Sequence, residues 1–210
     1  MTRIAVLGAT GRTGREILGQ ALAKGLEISA LARQQEKLGD FQNKTKVFQG
    51  DAADPMAVER VVEGSDAVLS ALGLVHGSPK GLMTTSSSNM VAALRSKGTR
   101  RLVILTNTGV PDPSDRPPVT QRVLRFVLRK MNAPLWYDSI EAARVVAESD
   151  LDWTLVRAPI LTDKPRTGRY RAGPLAHHIP LRVSRADVAE FMLACAMEGK
   201  FVREKPVIAG

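Results

Sequence analysis

Short apolar runs recur along the chain at Ile4–Leu7, Ile28–Ala32, Lys46–Gln49, Ala67–Ala71, Arg101–Thr106, Thr154–Arg157 and Pro206–Ala209. Runs of this length, closed off by Gly, Asp or Pro, read as strands. The stretches between them carry helical periodicity: Gly14–Lys24, Pro55–Val62, Met83–Ser96, Pro118–Met131, Tyr137–Ser149 and Arg185–Met197. Two of these have start signals. Asp54 precedes Pro55, a capping residue before a first-turn proline, and Ser184 is followed three residues later by Asp187. Strand and helix alternate almost to the end, which predicts an α/β fold with a parallel sheet covered on both faces. The longest stretch without periodicity is 158–183, within which Thr167–Pro174 has the composition of a small hairpin. No linker or repeat divides the chain, so one domain over residues 1–210 is expected.

Composition narrows the classes. The chain has 210 residues, 44% of them hydrophobic, enough for a proper core. Cys195 is the one cysteine, which excludes an intrachain disulfide and a cysteine-based zinc site. Its apolar surroundings, Phe191–Met197, predict a buried helix residue. No targeting segment is visible, and no run approaches the roughly 20 apolar residues of a membrane helix. A cytoplasmic protein without membrane insertion is expected.

The formal charge is +9, and 20 of the 30 basic residues lie at or after Arg95, against 12 of the 21 acidic ones. Helical spacing over 121–130 puts Arg122, Arg125 and Arg129 on one face and Leu124, Val127 and Leu128 on another. That is either a solvated face or a surface for lipid or an acidic partner. Only one aromatic residue, Phe126, interleaves with these basic ones, so no nucleic-acid binding is expected. The charge favours anionic small molecules.

The opening segment holds the clearest chemistry. The first strand runs straight into Gly8-Ala-Thr-Gly-Arg-Thr-Gly14, and a helix follows at once. Gly8 permits the tight turn, Gly11 lets a pyrophosphate approach the backbone, and Gly14 lets the helix pack on the strand. Thr10, Arg12 and Thr13 complete a loop whose free N–H groups suit phosphate. This predicts a Rossmann-type doubly wound sheet that binds a dinucleotide. The second strand ends at Arg33, where an NAD site carries an acid; a guanidinium suits the 2′-phosphate of NADP, so NADPH is expected over NADH. The third strand leads into Asp51 and Ala52, where a carboxylate either accepts from the adenine amino group or turns the chain. The fourth leads into Ala71, Leu72 and Gly73, small enough for a ribose to lie on backbone.

Together with Leu102–Gly109, Ser149–Pro159 and Ser184–Ala189, these motifs resemble the atypical short-chain dehydrogenase/reductase superfamily. The nearer likeness is to its single-domain NAD(P)H-binding branch, the NmrA-like and biliverdin reductase B/flavin reductase-like proteins. The resemblance implies that the end of the fifth strand, Thr106 to Thr108, lies beside the nicotinamide, that the segment Arg157-Ala-Pro-Ile160, with Pro159 and Ile160, borders its carboxamide, and that Thr108 contacts a substrate carbonyl. It also makes helix Tyr137–Ser149 a wall of the substrate pocket and Pro111–Pro118 a loop on the active-site side.

The Tyr-x-x-x-Lys pair of the larger superfamily is absent. Tyr137 is followed four residues later by Glu141, and no lysine occurs between Met131 and Asp163. Tyr137 is therefore either a general acid beside a carboxylate that would raise its pKa, or a residue of the pocket rim next to Trp136. His76, His177 and His178 lie in loops, where they orient substrate or face solvent, and no metal site is expected.

The function implied is an NADPH-dependent reductase that delivers hydride to a planar acceptor such as a flavin, quinone or conjugated carbonyl. The alternative is a non-catalytic NADP(H)-binding redox sensor of NmrA-like type. A third reading, a nucleotide-sugar epimerase or dehydratase, generally needs a longer C-terminal lobe. A monomer or weak homodimer is expected.

Overall fold

The computed structural model describes residues 2–74, 77–116, 133–175 and 180–210, with the backbone alone for residues 133–135. In chain order the elements are β1 (Arg3–Leu7), α1 (Arg12–Ala23), β2 (Glu27–Ala32), a 3-10 segment (Gln35–Phe41), β3 (Lys46–Gln49), α2 (Pro55–Val62), β4 (Ala67–Ser70), α3 (Leu82–Lys97), β5 (Arg101–Asn107), α4 (Ala133–Ala147), β6 (Asp152–Ala158), β7 (Ile160–Thr162), β8 (Arg171–Gly173), β9 (Arg182–Ser184), α5 (Arg185–Glu198) and β10 (Val207–Ala209). The predicted helix Pro118–Met131, with Arg122, Arg125 and Arg129, lies outside the described residues.

Among the described residues the main sheet has eight strands in the order β3-β2-β1-β4-β5-β6-β10-β8. All neighbours pair in parallel except β8 with β10. This is the Rossmann-type doubly wound arrangement, which reverses direction between β1 and β4. Strand residues alternate between two cores. Ile4 and Val6 join Ile17, Leu18 and Ala21 of α1 and Val188, Met192 and Cys195 of α5. Ala5 and Leu7 join Val58 and Val61 of α2, Met90 and Leu94 of α3 and Val146 of α4. Both faces are covered, so the strands read as continuous apolar runs rather than alternating ones. Burial pushes the Cys195 thiol up to about 12, as suits a structural residue. No helix among the described residues is long and apolar enough to cross a membrane.

Both predicted caps form. Asp54 accepts from the Met56 amide at 3.0 Å, and Ser184 Oγ accepts from the Asp187 amide at 2.9 Å. Asp187 then does more than complete the cap. Its buried carboxylate accepts from Ser184 Oγ at 2.7 Å, from the amides of Thr167 and Gly168 at 2.8 and 2.9 Å, and from Thr167 Oγ1 at 3.0 Å. Burial alone would raise its pKa, but these donors together hold it below the usual carboxylate value. The carboxylate thereby fastens the 163–170 loop to α5.

The stretch 158–183 departs from expectation. Thr167–Pro174 is not a local hairpin. Instead β8 pairs antiparallel with β10, with Ile208 opposite Ala172. β7 and β9 form a separate parallel pair with Ile160 opposite Arg182. The partners are tens of residues away in sequence, so local turn composition carried no sign of them.

Candidate functional site

All the predicted site residues except Tyr137, which lies on α4, follow or end a parallel strand, and this brings them to one edge of the sheet. β1 ends at Leu7 and the chain turns at Gly8 with φ +74°. A Cβ on Gly8 would stand 2.6–2.7 Å from the backbone of Ala71 and Leu72, so the loop crosses directly over the end of β4. A Cβ on Gly14 would stand 2.1 Å from the Gly8 carbonyl oxygen and 2.8 Å from Ala9 Cα. Helix and strand thus meet at backbone distance, as expected for Gly14.

Gly11 is different. It is exposed, and the nearest atom to a Cβ there is Gly8 O at 3.2 Å. As N-cap of α1 it offers no side chain, and the first turn holds no acidic residue. The start of α1 therefore presents amide donors and the positive end of the helix dipole with no internal anion capping it. Thr13 is buried under this turn and Thr10 is half-buried. Arg12 reaches sideways, and its Nη1 donates to Asp163 Oδ2 at 2.7 Å. Arg185 holds the other oxygen of Asp163, also at 2.7 Å.

At the adjacent strand ends, Arg33 Nη1 lies 3.8 Å from Asp51 Oδ2, both side chains well exposed. Asp51 Oδ1 accepts from the Ala53 amide at 2.9 Å, so this carboxylate does turn the chain while its other oxygen faces Arg33. Ala52 is buried, and its carbonyl accepts from Asn89 Nδ2 at 3.0 Å. Ala71 and Leu72 are half-buried, and Gly73 is exposed with open space around it.

Thr106 is half-buried near the end of β5, and Thr108 is half-buried in the turn beyond it. That turn is built by two neighbours. Asn107 Oδ1 accepts from the Gly109 amide at 2.8 Å. The Trp136 indole closes on Gly109 so tightly that a Cβ there would meet the ring at 2.6–2.8 Å. Trp136 therefore sets the position of the turn that carries Thr108. Tyr137 beside it is 58% exposed. Asp138 turns the other way and caps α3, accepting from the amides of Met83 and Thr84 at 3.0 Å each and from Thr84 Oγ1 at 2.6 Å. A water-sized cavity of about 10 Å³, lined in part by Met83, Thr106 and Ser139, lies beneath. It is too small for any acceptor molecule.

Glu141, four residues after Tyr137, has a partner of its own. It forms an ion pair with Arg144 at 2.5 Å, and Arg144 also holds Glu148 at 2.7 Å. The hydrogen bond from Arg144 holds the Glu141 carboxyl below its ordinary pKa. An i,i+3 partner on the same helix wins over an i−4 phenol because it carries the opposite charge.

Arg157 was expected within the cofactor border, yet its side chain is fully buried beneath it. It makes a two-pronged pair with Asp115, Nη1 to Oδ2 at 2.6 Å and Nη2 to Oδ1 at 2.8 Å. It also donates to the carbonyls of Lys205 at 2.7 Å and Val110 at 3.1 Å. Asp115 accepts the Leu175 amide at 3.1 Å. This pair ties the loop after β5 to β6 and to the end of β8. An arginine inside an apolar strand was a visible signal; Asp115, 42 residues earlier in sequence, carried none. Pro159 is half-buried and Ile160 is 55% exposed at the rim. His76, His177 and His178 lie outside the described residues.

A family model described as NAD(P)H-binding matches residues 8–198. A 3-diazoavenalumate denitrifying reductase from a Streptomyces species is 30% identical over 211 residues, covering 90% of this chain and 67% of that protein. A (4-alkanoyl-5-oxo-2,5-dihydrofuran-3-yl)methyl phosphate reductase from Streptomyces griseus is 31% identical over 154 residues, covering 73% of this chain and 46% of that protein. The matches thus span between about half and two thirds of these relatives. Among solved structures, a short-chain dehydrogenase/reductase from Veillonella parvula in complex with NADP shares the fold, with a TM-score of 0.83 over 100% of this chain and 94% of that one, at 20% identity. With the glycine loop, the strand order and the matched family all agreeing, the chain belongs to the NAD(P)H-binding family.

Proposed function

We propose that the chain is an NADPH-dependent reductase of a small, planar, conjugated acceptor, acting as one domain over residues 1–210. The observation that carries this reading is the open start of α1 at Gly11, with Arg33 exposed at the next strand end along the same edge. The fit to a dinucleotide is specific. An uncapped helix start receives a diphosphate. The guanidinium of Arg33 is held only by an exposed carboxylate at 3.8 Å and exchanges it for a 2′-phosphate. Gly8, Thr10, Gly11, Arg12, Thr13 and Gly14 line the diphosphate. Asp51, Ala52, Ala71, Leu72 and Gly73 border the adenosine and ribose, and Thr106, Pro159 and Ile160 border the nicotinamide.

The bound nucleotide supplies the hydride. The chain itself supplies orientation. Thr108, fixed by the Asn107 and Trp136 contacts to its turn, donates its hydroxyl to an acceptor carbonyl. Tyr137 forms the acceptor wall and, lacking a lysine partner, is the lesser candidate for proton delivery; solvent serves a conjugated acceptor instead. Two curated relatives point the same way. Both are reductases of small molecules, and the dihydrofuranone acceptor of one is a conjugated carbonyl.

NADPH oxidation with a panel of flavins, quinones and conjugated ketones tests the proposal. Turnover supports it, whereas tight NADPH binding without turnover across the panel points to the redox-sensor reading. Two substitutions resolve the roles. Arg33→Asp lowers NADPH affinity about 10- to 100-fold, the loss expected for a charge-assisted phosphate contact, and leaves NADH nearly unaffected. Equal losses for both nucleotides would remove Arg33 from the phosphate site. Thr108→Ala lowers kcat/KM about tenfold at unchanged NADPH affinity, as for one hydrogen bond lost near the reacting carbonyl. Full turnover in that variant would exclude Thr108 from acceptor binding.

A further inference from the structure

Resting on the reductase reading above, we infer that the acceptor carries an anionic group and that Arg182 receives it. From Lys164 to Ala186 the chain contains no acidic residue but has Lys164, Arg166, Arg169, Arg171, Arg182 and Arg185. Arg166 pairs with Glu190 and Arg185 with Asp163. Among the described residues Lys164, Arg169, Arg171 and Arg182 have no carboxylate partner; Arg182 is exposed and is the one paired in register with Ile160.

Its place is set by strand geometry. Ile160 and Arg182 are register partners in the parallel pair β7–β9. The next residues, Leu161 and Val183, pack into the core shared with α1 and α5. Side chains alternate along a strand, so Ile160 and Arg182 both point outward, about 5 Å apart across the pair. Ile160 is the rim residue assigned to the nicotinamide border. The Leu181 carbonyl accepts the Ile160 amide at 3.1 Å, which fixes the pairing at this point. The surface at the assigned nicotinamide border is thus an exposed aliphatic side chain, Ile160, with the unpaired guanidinium of Arg182 beside it. Such a surface binds a flat apolar ring bearing a phosphate or carboxylate. A neutral acceptor would leave the cation without use, and an acceptor with a positive group would be repelled.

FMN and riboflavin test this directly, because they share one ring and differ by a phosphate. Flavin fluorescence quenching with the protein saturated in NADP+ gives the affinity of each, and NADPH oxidation gives their turnover. The expected result is FMN binding about tenfold tighter than riboflavin, with the preference shrinking as salt is raised. Arg182→Gln collapses that preference and Arg182→Lys retains most of it. Equal binding of the two flavins, no binding of either, or an undiminished preference in Arg182→Gln overturns the inference. So does a rise in the KM for NADPH as the main effect of Arg182→Gln, which would move the residue to the nucleotide. An FMN preference that depends on Arg182 in a protein without turnover would keep this inference and sink the reductase reading.

Discussion

Arg157→Ala is expected to destabilise the protein by about 3–5 kcal/mol, the range for breaking a buried ion pair from one side. The arginine is fully buried and Asp115 is only 6% exposed, so the remaining carboxylate would be left charged and almost without water. The carbonyls of Val110 and Lys205 would lose their donors as well. Removing both charges together is a different matter. Arg157→Met with Asp115→Leu replaces two desolvated ions by apolar volume and should recover much of the loss. Urea denaturation of the two single variants and the double variant measures this. Losses that simply add would mean that the pair is not a coupled unit. The same substitution should loosen the turn bearing Thr108, because Arg157 anchors the loop that follows it to β6 through Asp115 and the Val110 carbonyl.

Gly14→Ala is the second large effect. The added methyl would fall 2.1 Å from Gly8 O and 2.8 Å from Ala9 Cα. Both are backbone atoms of the loop itself, so no flexible side chain can yield. Either α1 moves off β1 or the loop is displaced, at a cost of about 3 kcal/mol or more. In each case nucleotide binding is lost. Gly11→Ala separates loop geometry from ligand clearance. Its methyl would meet only Gly8 O, at 3.2 Å, so folding should change by less than about 1 kcal/mol. Nucleotide affinity should nevertheless fall steeply, because the methyl occupies the approach to the amides at the start of α1. Thermal unfolding and nucleotide titration of the two variants give both readings. A Gly11→Ala protein with full affinity would place the diphosphate elsewhere.

These contrasts mark what could be read from the sequence. The strands of the Rossmann half were legible because each is an apolar run buried on two faces, and the glycine loop because its three glycines serve three steric needs. The positions of Arg33, Asp51 and Thr108 followed from strand ends, which a parallel sheet brings to one edge. What failed was non-local. β8 has three residues and pairs with β10, more than 30 residues on, so its composition resembled a hairpin. β7 and β9 are equally short and form a sheet of their own. Arg157 looked like a site residue because it precedes Ala158 and Pro159, yet strand alternation turns its side chain into the protein. Glu141 looked like a hindrance to Tyr137 until Arg144, one helical turn on, took its charge. Trp136 as the support of the Thr108 turn had no sequence signal, since nothing local ties it to Gly109.

The central claim is that the bare helix start at Gly11 and the exposed guanidinium of Arg33 together select a dinucleotide with an additional phosphate. Isothermal titration of the purified, folded protein with NADPH and with NADH measures this most directly. The account predicts one NADPH site, about tenfold or more tighter than any NADH binding, with the difference shrinking at high salt. Heat of binding for neither nucleotide, or equal affinity for the two, would contradict it.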